Sequence, residues 1–310
     1  MIRVETVEEL RAALAEPRHS GLRIGLVPTM GAFHDGHLSL MRLAREQCDL
    51  VVVSLFVNPA QFGDASDLEA YPRDEAGDAS LAREVGVDIL FAPSAHEVYP
   101  PGFSTTVSIA GVTETLEGEH RGRSHFDGVA TVVVKLLNMV APDVAYFGQK
   151  DAQQALVIRR LVRDLDIPVR IEIAPTVRDA DGLALSSRNA HLAPQDRVRA
   201  LSLSGALRAI QATVDAGEPD PGTVLTAGLS ELLAANVEPD YLELVSPDTL
   251  DPVDSVQDEM LAVVAARVGG TRLIDNAQIR AVPASPEAAG GRSLPLSPNQ
   301  VATPAGAPTT

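Results

Sequence analysis

From Arg23 to Ile173 the chain alternates short β-branched runs with amphipathic stretches, and this alternation constrains its fold more than any other feature. The run Arg23–Val27 stops at Pro28-Thr29, and Leu50–Val57 reads as a fully buried strand stopped by Asn58-Pro59. Asp88–Phe91, Asp143–Phe147 and Val169–Ile173 read as further strands. Between them, Gly36–Cys48, Arg73–Val85, Ser124–Val140 and Asp151–Asp164 carry apolar residues at helical spacing, as in Leu38, Met41 and Ala44 or Val129, Val132, Val133 and Leu136. Strand–helix alternation needs crossovers, and crossovers give a mostly parallel sheet. Ligands of such sheets sit beyond the carboxyl ends of the strands. The loops predicted there are Pro28–Gly36, Asn58–Gly63 and Gly148–Lys150, each with polar residues that a plain turn does not require.

After Arg178 the texture changes. Pro194–Ala216 and Pro221–Ala235 read as helices with Pro in the first turn. Tyr241–Val245, Met260–Arg267 and Thr271–Asp275 read as strands, the last two joined at Gly269-Gly270. The expected organisation is a first domain over 1–178, a smaller helix-plus-sheet domain over 179–282, and a Pro-rich tail over 283–310 that should be disordered.

Composition excludes several classes. With Lys+Arg at 25 and Asp+Glu at 42, the net charge of −17 opposes general binding to nucleic acid. Trp is absent and aromatics are 4%, which argues against stacking on single strands. No apolar run reaches the roughly 18–20 residues of a membrane span. The opening Met-Ile-Arg-Val-Glu-Thr lacks an apolar signal core, and Cys48 is the only cysteine, so a reducing cytoplasm is expected and neither an internal disulfide nor a cysteine zinc cluster can form.

Four segments carry chemistry. Pro28-Thr29-Met30-Gly31-Ala32-Phe33-His34-Asp35-Gly36-His37 joins what reads as the first strand of the sheet to a helix. Its glycines let backbone approach a ligand, and a helix N-terminus attracts phosphate. His34 and His37 flank that spot. A lone His-x-x-His is weak, but His-x-Gly-His in this context resembles the signature of the nucleotidyltransferase superfamily, which includes class I aminoacyl-tRNA synthetases. Asn58-Pro59-Ala60-Gln61-Phe62-Gly63 offers neutral amides to a hydroxyl or carboxylate substrate. In Gly148-Gln149-Lys150-Asp151-Ala152-Gln153-Gln154, Lys150 can neutralise phosphate charge, and Gln154 lies one turn on, on the same side. Leu185-Ser186-Ser187-Arg188-Asn189 sets hydroxyls beside a guanidinium, which suits a triphosphate.

In this order and spacing, the four segments resemble the pantoate–β-alanine ligases. Tyr71-Pro72-Arg73, His125-Phe126-Asp127-Gly128-Val129 and Lys135-Leu136 match as well. The resemblance is detailed from Val27 to Leu192 and weaker to Ile279. It implies an α/β fold, a Rossmann-like parallel-sheet domain with a smaller C-terminal α+β lid domain, usually homodimeric. It implies ATP as co-substrate with Mg²⁺, and pantoate and β-alanine as the other substrates, joined through an acyl adenylate. By resemblance, Met30–His37 (Met30, Gly31, Ala32, Phe33, His34, Asp35, Gly36, His37), Gly148, Gln149, Lys150, Asp151, Val177, Leu185, Ser186, Ser187 and Arg188 bind ATP. His37 takes the place of a proton donor. Gln61 meets pantoate and β-alanine, and Gln154 meets pantoate. His34, His37, Lys150 and Arg188 are expected to stabilise phosphate charge, with a protonated His37 favoured beside it, while Asn58 and Arg121 join the substrate contacts and no residue is assigned to a metal. Asp78 could support Mg²⁺ but reads better as a solvated helix-face charge. Gln149 stands where the family often has Glu, and Leu185 where it often has Met. Arg121-Gly122-Arg123-Ser124-His125 is one residue longer than the family pattern, so Arg121 or Arg123 fills the arginine position, with Arg121 preferred. Rival readings are a nucleotidyltransferase that leaves the nucleotide on its product, and a catalytically dead nucleotide-binding scaffold.

Overall fold

The computed structural model describes residues 1–63, 68–69 and 71–281. The expected tail over 283–310 lies outside them. The first sheet is six-stranded and wholly parallel, in the order β1-β4-β3-β2-β5-β6. Its strands are β1 (Ile2–Val4), β2 (Ile24–Thr29), β3 (Leu50–Leu55), β4 (Ile89–Phe91), β5 (Val144–Gly148) and β6 (Arg170–Ala174). The crossovers are made by α1 (Val7–His19), α2 (Asp35–Gln47), α3 (Glu75–Glu84), α4 (Ala95–Val98), α5 (Glu117–Arg121), α6 (Arg123–Val140) and α7 (Ala152–Asp164). Val51, Val52 and Val53 on β3 have no exposed surface, as a strand covered on both faces requires.

The opening strand and helix come in addition to the expected elements, so the His34–His37 loop follows the second strand in the chain and the Asn58 loop follows the third. A local signal for α1 is present. Thr6 and Glu9 form a capping box, with Thr6 accepting from the Glu9 amide at 3.1 Å and Glu9 from the Thr6 amide at 3.0 Å. Leu10 and Leu14 then point into the core.

The strand order reverses at β2, whose neighbours are β3 on one side and β5 on the other. β2 and β5 are paired at Gly25↔Val144 and Leu26↔Ala145, and beyond that point the ladder stops. Their carboxyl ends therefore splay, and the crevice between them is the switch point where α/β sheets bind ligands.

The smaller unit is an antiparallel sheet of β7 (Pro239–Val245), β8 (Glu259–Val268) and β9 (Thr271–Arg280), with α8 (Pro194–Asp215) and α9 (Pro221–Ala234) packed on it. β9 runs past the expected end at Asp275, because its ladder with β8 continues to Glu259↔Arg280. A further apolar cluster joins Leu116 and Leu156 to Val245, Leu261 and Val263, so the smaller sheet sits against the end of the larger one. Among the described residues, no helix is long and apolar enough to cross a membrane.

Candidate active site

A cavity of about 1000 Å³ opens where the carboxyl ends of the parallel strands face β9. Met30, His34, Gly36, His37, Asn58, Gln61, Arg121, Gly148, Lys150, Asp151, Gln154, Val177, Leu185, Ser186, Ser187 and Arg188 all contribute to its wall. Gly31, Ala32, Phe33, Asp35 and Gln149 do not.

The loop between β2 and α2 is built from inside. Gly31 and Ala32 take positive φ values of 91° and 53°. For alanine this left-handed conformation costs roughly 1–2 kcal/mol, so something must hold it. Asp78, on α3 and 3% exposed, accepts from the amides of Ala32 at 2.9 Å and Phe33 at 2.7 Å. Asp78 is thus a buried anchor of the loop, not a solvated charge on a helix face. Burial raises its pKa, and the two amides oppose that rise. Its partners lie far away in sequence, which is why its pattern reads as helix surface. Asp78→Ala is expected to cost about 1–3 kcal/mol, the penalty for leaving buried donors unpaired, and to slow reactions that use the loop. Denaturant unfolding, run alongside ATP-dependent turnover, checks both.

His34 caps α2. Its Nδ1 accepts from the Gly36 amide at 3.2 Å, and His37 Nδ1 lies 3.4 Å from the His34 amide. With both Nδ1 atoms accepting, the neutral rings carry their protons on Nε2, where they can donate to a ligand. The ring centroids are 4.2 Å apart. Burial, then the neighbouring His34, push the His37 pKa down to about 3. Burial followed by Lys150 lowers that of His34. Burial thus favours neutral, donating rings, while the expected protonation of His37 depends on phosphate charge placed beside it. The unfolded chain binds more protons than the folded one between about 3 and 6.5, so stability is lost as pH falls through that window. Going from about pH 7 to 5 should cost on the order of 2 kcal/mol from this group. Thermal unfolding at both pH values should show a shallower dependence for His37→Asn than for the parent.

Lys150 occupies a short 3-10 turn after β5, and its Nζ lies 3.5 Å from Asp151 Oδ1. Burial favours a neutral Asp151, but Lys150, Arg121 and Arg188 together hold it below the usual carboxylate range. Arg188 has its pKa lowered by burial and then by Arg121. These influences reach across segments distant in the chain, as expected for side chains sharing one space.

The amide side is equally organised. Asn58 Nδ2 donates to Gln61 Oε1 at 3.0 Å and to the Gly128 carbonyl at 3.1 Å. Its Oδ1 accepts from the Tyr99 hydroxyl at 2.7 Å and the Ala60 amide at 3.2 Å. The hydrogen-bonding capacity of Asn58 is thereby filled. Asn58 therefore orients Gln61 from within the cavity wall. His125 Nδ1–H donates to the Gln61 carbonyl at 2.8 Å. Gln153 is buried and donates to the carbonyls of Val112 and Thr115, and both it and Gln154 contribute to the cavity wall.

Of the two candidate arginines, Arg121 lines the cavity, and its Nε donates to Glu117 at 2.9 Å. Arg123 reaches Ser108 at 3.3 Å, away from the cavity. Glu117 also binds Arg272 at 2.7 Å and the Tyr241 hydroxyl at 3.0 Å. Burial opposes its ionisation, but Arg121 and Arg272 keep its pKa low. Gln149 turns from the cavity toward Asn276, its Nε2 donating to Asn276 Oδ1 at 3.2 Å. Glu117, Arg272 and Asn276 belong to no motif legible in the sequence; their partners lie on other elements.

The chain is similar to known proteins over most of its length. The pantothenate synthetase of Cereibacter sphaeroides is 52% identical over 273 residues, covering 88% of this chain and 98% of the relative. That of Chelativorans sp. is 53% identical over 271 residues, covering 87% and 95%. Among solved structures, the pantothenate synthetase of Thermus thermophilus superposes with a TM-score of 0.85 at 48% identity, covering 89% of this chain and 99% of that one. The Francisella tularensis pantoate-beta-alanine ligase, solved with beta-gamma ATP and beta-alanine, gives 0.73 at 33% identity, covering 89% and 97%. The profile of one family, described as pantoate-beta-alanine ligase, matches residues 2–278. Strand order, crevice and full-length similarity converge, and the chain belongs to the pantoate-beta-alanine ligase family.

Proposed function

We infer that the chain catalyses the ATP-dependent condensation of (R)-pantoate with β-alanine to pantothenate. The observation that carries this is the meeting of His34, His37, Lys150 and Arg188 in one cavity with Gln61 and Gln154. In the first step a pantoate carboxylate oxygen attacks the α-phosphorus of ATP, the bond to the bridging oxygen breaks, and pyrophosphate leaves. In the second, the free amine of β-alanine attacks the acyl carbon, the C–O bond breaks, AMP departs and the amine loses a proton. A carboxylate is already nucleophilic at neutral pH, so the protein acts by positioning and charge stabilisation. The neutral Nε2–H groups of His34 and His37 donate to phosphate oxygens. Lys150 and Arg188 counter the charge that builds on the leaving pyrophosphate. Gln61 and Gln154 hold pantoate.

Mg²⁺ enters with ATP in this reading. Among the described residues no group of three or more His, Cys, Asp or Glu could hold a metal ion. Asp78 is committed to backbone amides, and Asp151 lies 3.5 Å from the Lys150 ammonium. Mg²⁺ would accordingly rest on phosphate oxygens and water, which suits an ion that keeps much of its hydration. The smaller unit, divided from the larger near residue 178, acts as a lid that keeps water from the acyl adenylate. The reading includes a homodimer in the cytoplasm, which sedimentation and cell fractionation test.

The decisive experiment is pyrophosphate release with ATP and pantoate alone, followed by AMP release on adding β-alanine. A product that keeps the nucleotide would transfer the chain to another reaction class, and no AMP with all substrates present would mark it as inactive.

A further inference from the structure

Asn276 is 4% exposed and spends its whole side-chain amide on a distant turn. Nδ2 donates to the backbone carbonyls of Gln149 at 2.9 Å and Lys150 at 2.8 Å, while Oδ1 accepts from Gln149 Nε2 at 3.2 Å. The preceding residue, Asp275, makes a two-pronged ion pair with Arg178 at 2.6 and 2.9 Å, and the Asn276 carbonyl accepts from the same guanidinium at 3.4 Å. Arg178 opens the turn that bridges to Ala184 and leads into Leu185–Arg188. Two consecutive residues of β9 thus fasten both the turn bearing Lys150 and the segment bearing Arg188. Their anchor is regular sheet: Asp275 pairs with Val264 and Asn276 with Val263 in the β8–β9 ladder. A site built on such a strand is held more closely than one built on loops alone.

We propose that Asn276 is a positioning residue for adenylation, holding the Lys150 backbone in register with the Arg188 segment so that both cations meet one triphosphate. The proposal rests on the ligase reaction inferred above. It separates Asn276 from a residue needed only for folding, because the demand for two aligned cations is greatest while pyrophosphate is leaving. Once only AMP remains to depart, less negative charge has to be matched.

The test uses the full chain with Asn276→Ala and the isosteric Asn276→Asp. The aspartate keeps the acceptor for Gln149 but loses both donors to the carbonyls. Pantoate-dependent ATP–pyrophosphate exchange should fall at least ~10-fold in both, in kcat rather than in the KM for pantoate, the scale of a small misplacement. The reaction of preformed pantoyl adenylate with β-alanine should fall less than ~3-fold in the same proteins. Melting curves accompany both variants, and Asn276→Asp decides the outcome if the alanine variant melts early. Exchange within about twofold of the parent, or equal losses in the two half-reactions, would overturn the proposal. Failure of the parent chain itself to exchange pyrophosphate would instead strike at the ligase reading.

Discussion

Lys150→Ala should lower pantoate-dependent ATP–pyrophosphate exchange by more than ~100-fold, the usual cost of removing one strong transition-state donor. The Lys150 side chain is only 18% exposed and is surrounded by groups responsive to its charge, since it helps lower the pKa values of both Asp151 and His34. In such partly desolvated surroundings a cation is worth far more against developing charge than it is in water. Lys150→Met keeps the aliphatic stem and should lose nearly as much, which separates charge from packing. Stopped-flow measurement of the first turnover locates the loss in adenylation. Near-normal exchange in either variant would remove Lys150 from the charge-stabilising set.

Gly128→Ala should also impair the enzyme, although Gly128 lies in the middle of a helix. Taken as an isolated helix, α6 would gain about 1 kcal/mol from this change. The tertiary structure reverses the sign. A Cβ at Gly128 would overlap the Ala60 carbonyl oxygen and lie 2.7 Å from the Gln61 amide nitrogen. Those are backbone atoms of the turn that presents Gln61, and that turn is also tied to Gly128 through Asn58. Overpacking of this kind costs typically about 1–3 kcal/mol, more than the helix gains. The displaced turn should raise the KM for pantoate at least ~10-fold while leaving ATP binding nearly unchanged. Comparing pantoate saturation with ATP affinity and a denaturant melt checks all three effects. A stabilised protein with normal pantoate saturation would show that α6 and the turn are not in the contact described.

The residues recognisable from sequence are those whose surroundings are local. His34 and His37 sit at a strand-to-helix junction, where a capping residue and free amides are dictated by the neighbouring few residues. Lys150 and Gln154 likewise share one short turn and the first turn of a helix. Asp78 escapes such a reading because a carboxylate at helical spacing looks alike whether it faces water or the amides of Ala32 and Phe33. Asn58 has the chemistry of a substrate ligand, and only the fold reveals that Tyr99 and Gly128 use its remaining capacity. The strand β1 escapes notice because it is three residues long and draws its pairing from β4, far along the chain.

Periodicity and turn chemistry, which act over a few neighbours, determined the parallel sheet, the placing of its loops and the types of group they offer to a ligand. Only the folded arrangement decided that burial pushes the His37 pKa down, that Arg121 rather than Arg123 faces the cavity, and that β9 ties the Lys150 and Arg188 segments together. Each of these depends on burial and on partners supplied by other elements, and desolvation and long-range hydrogen bonds exist only once the chain has closed on itself.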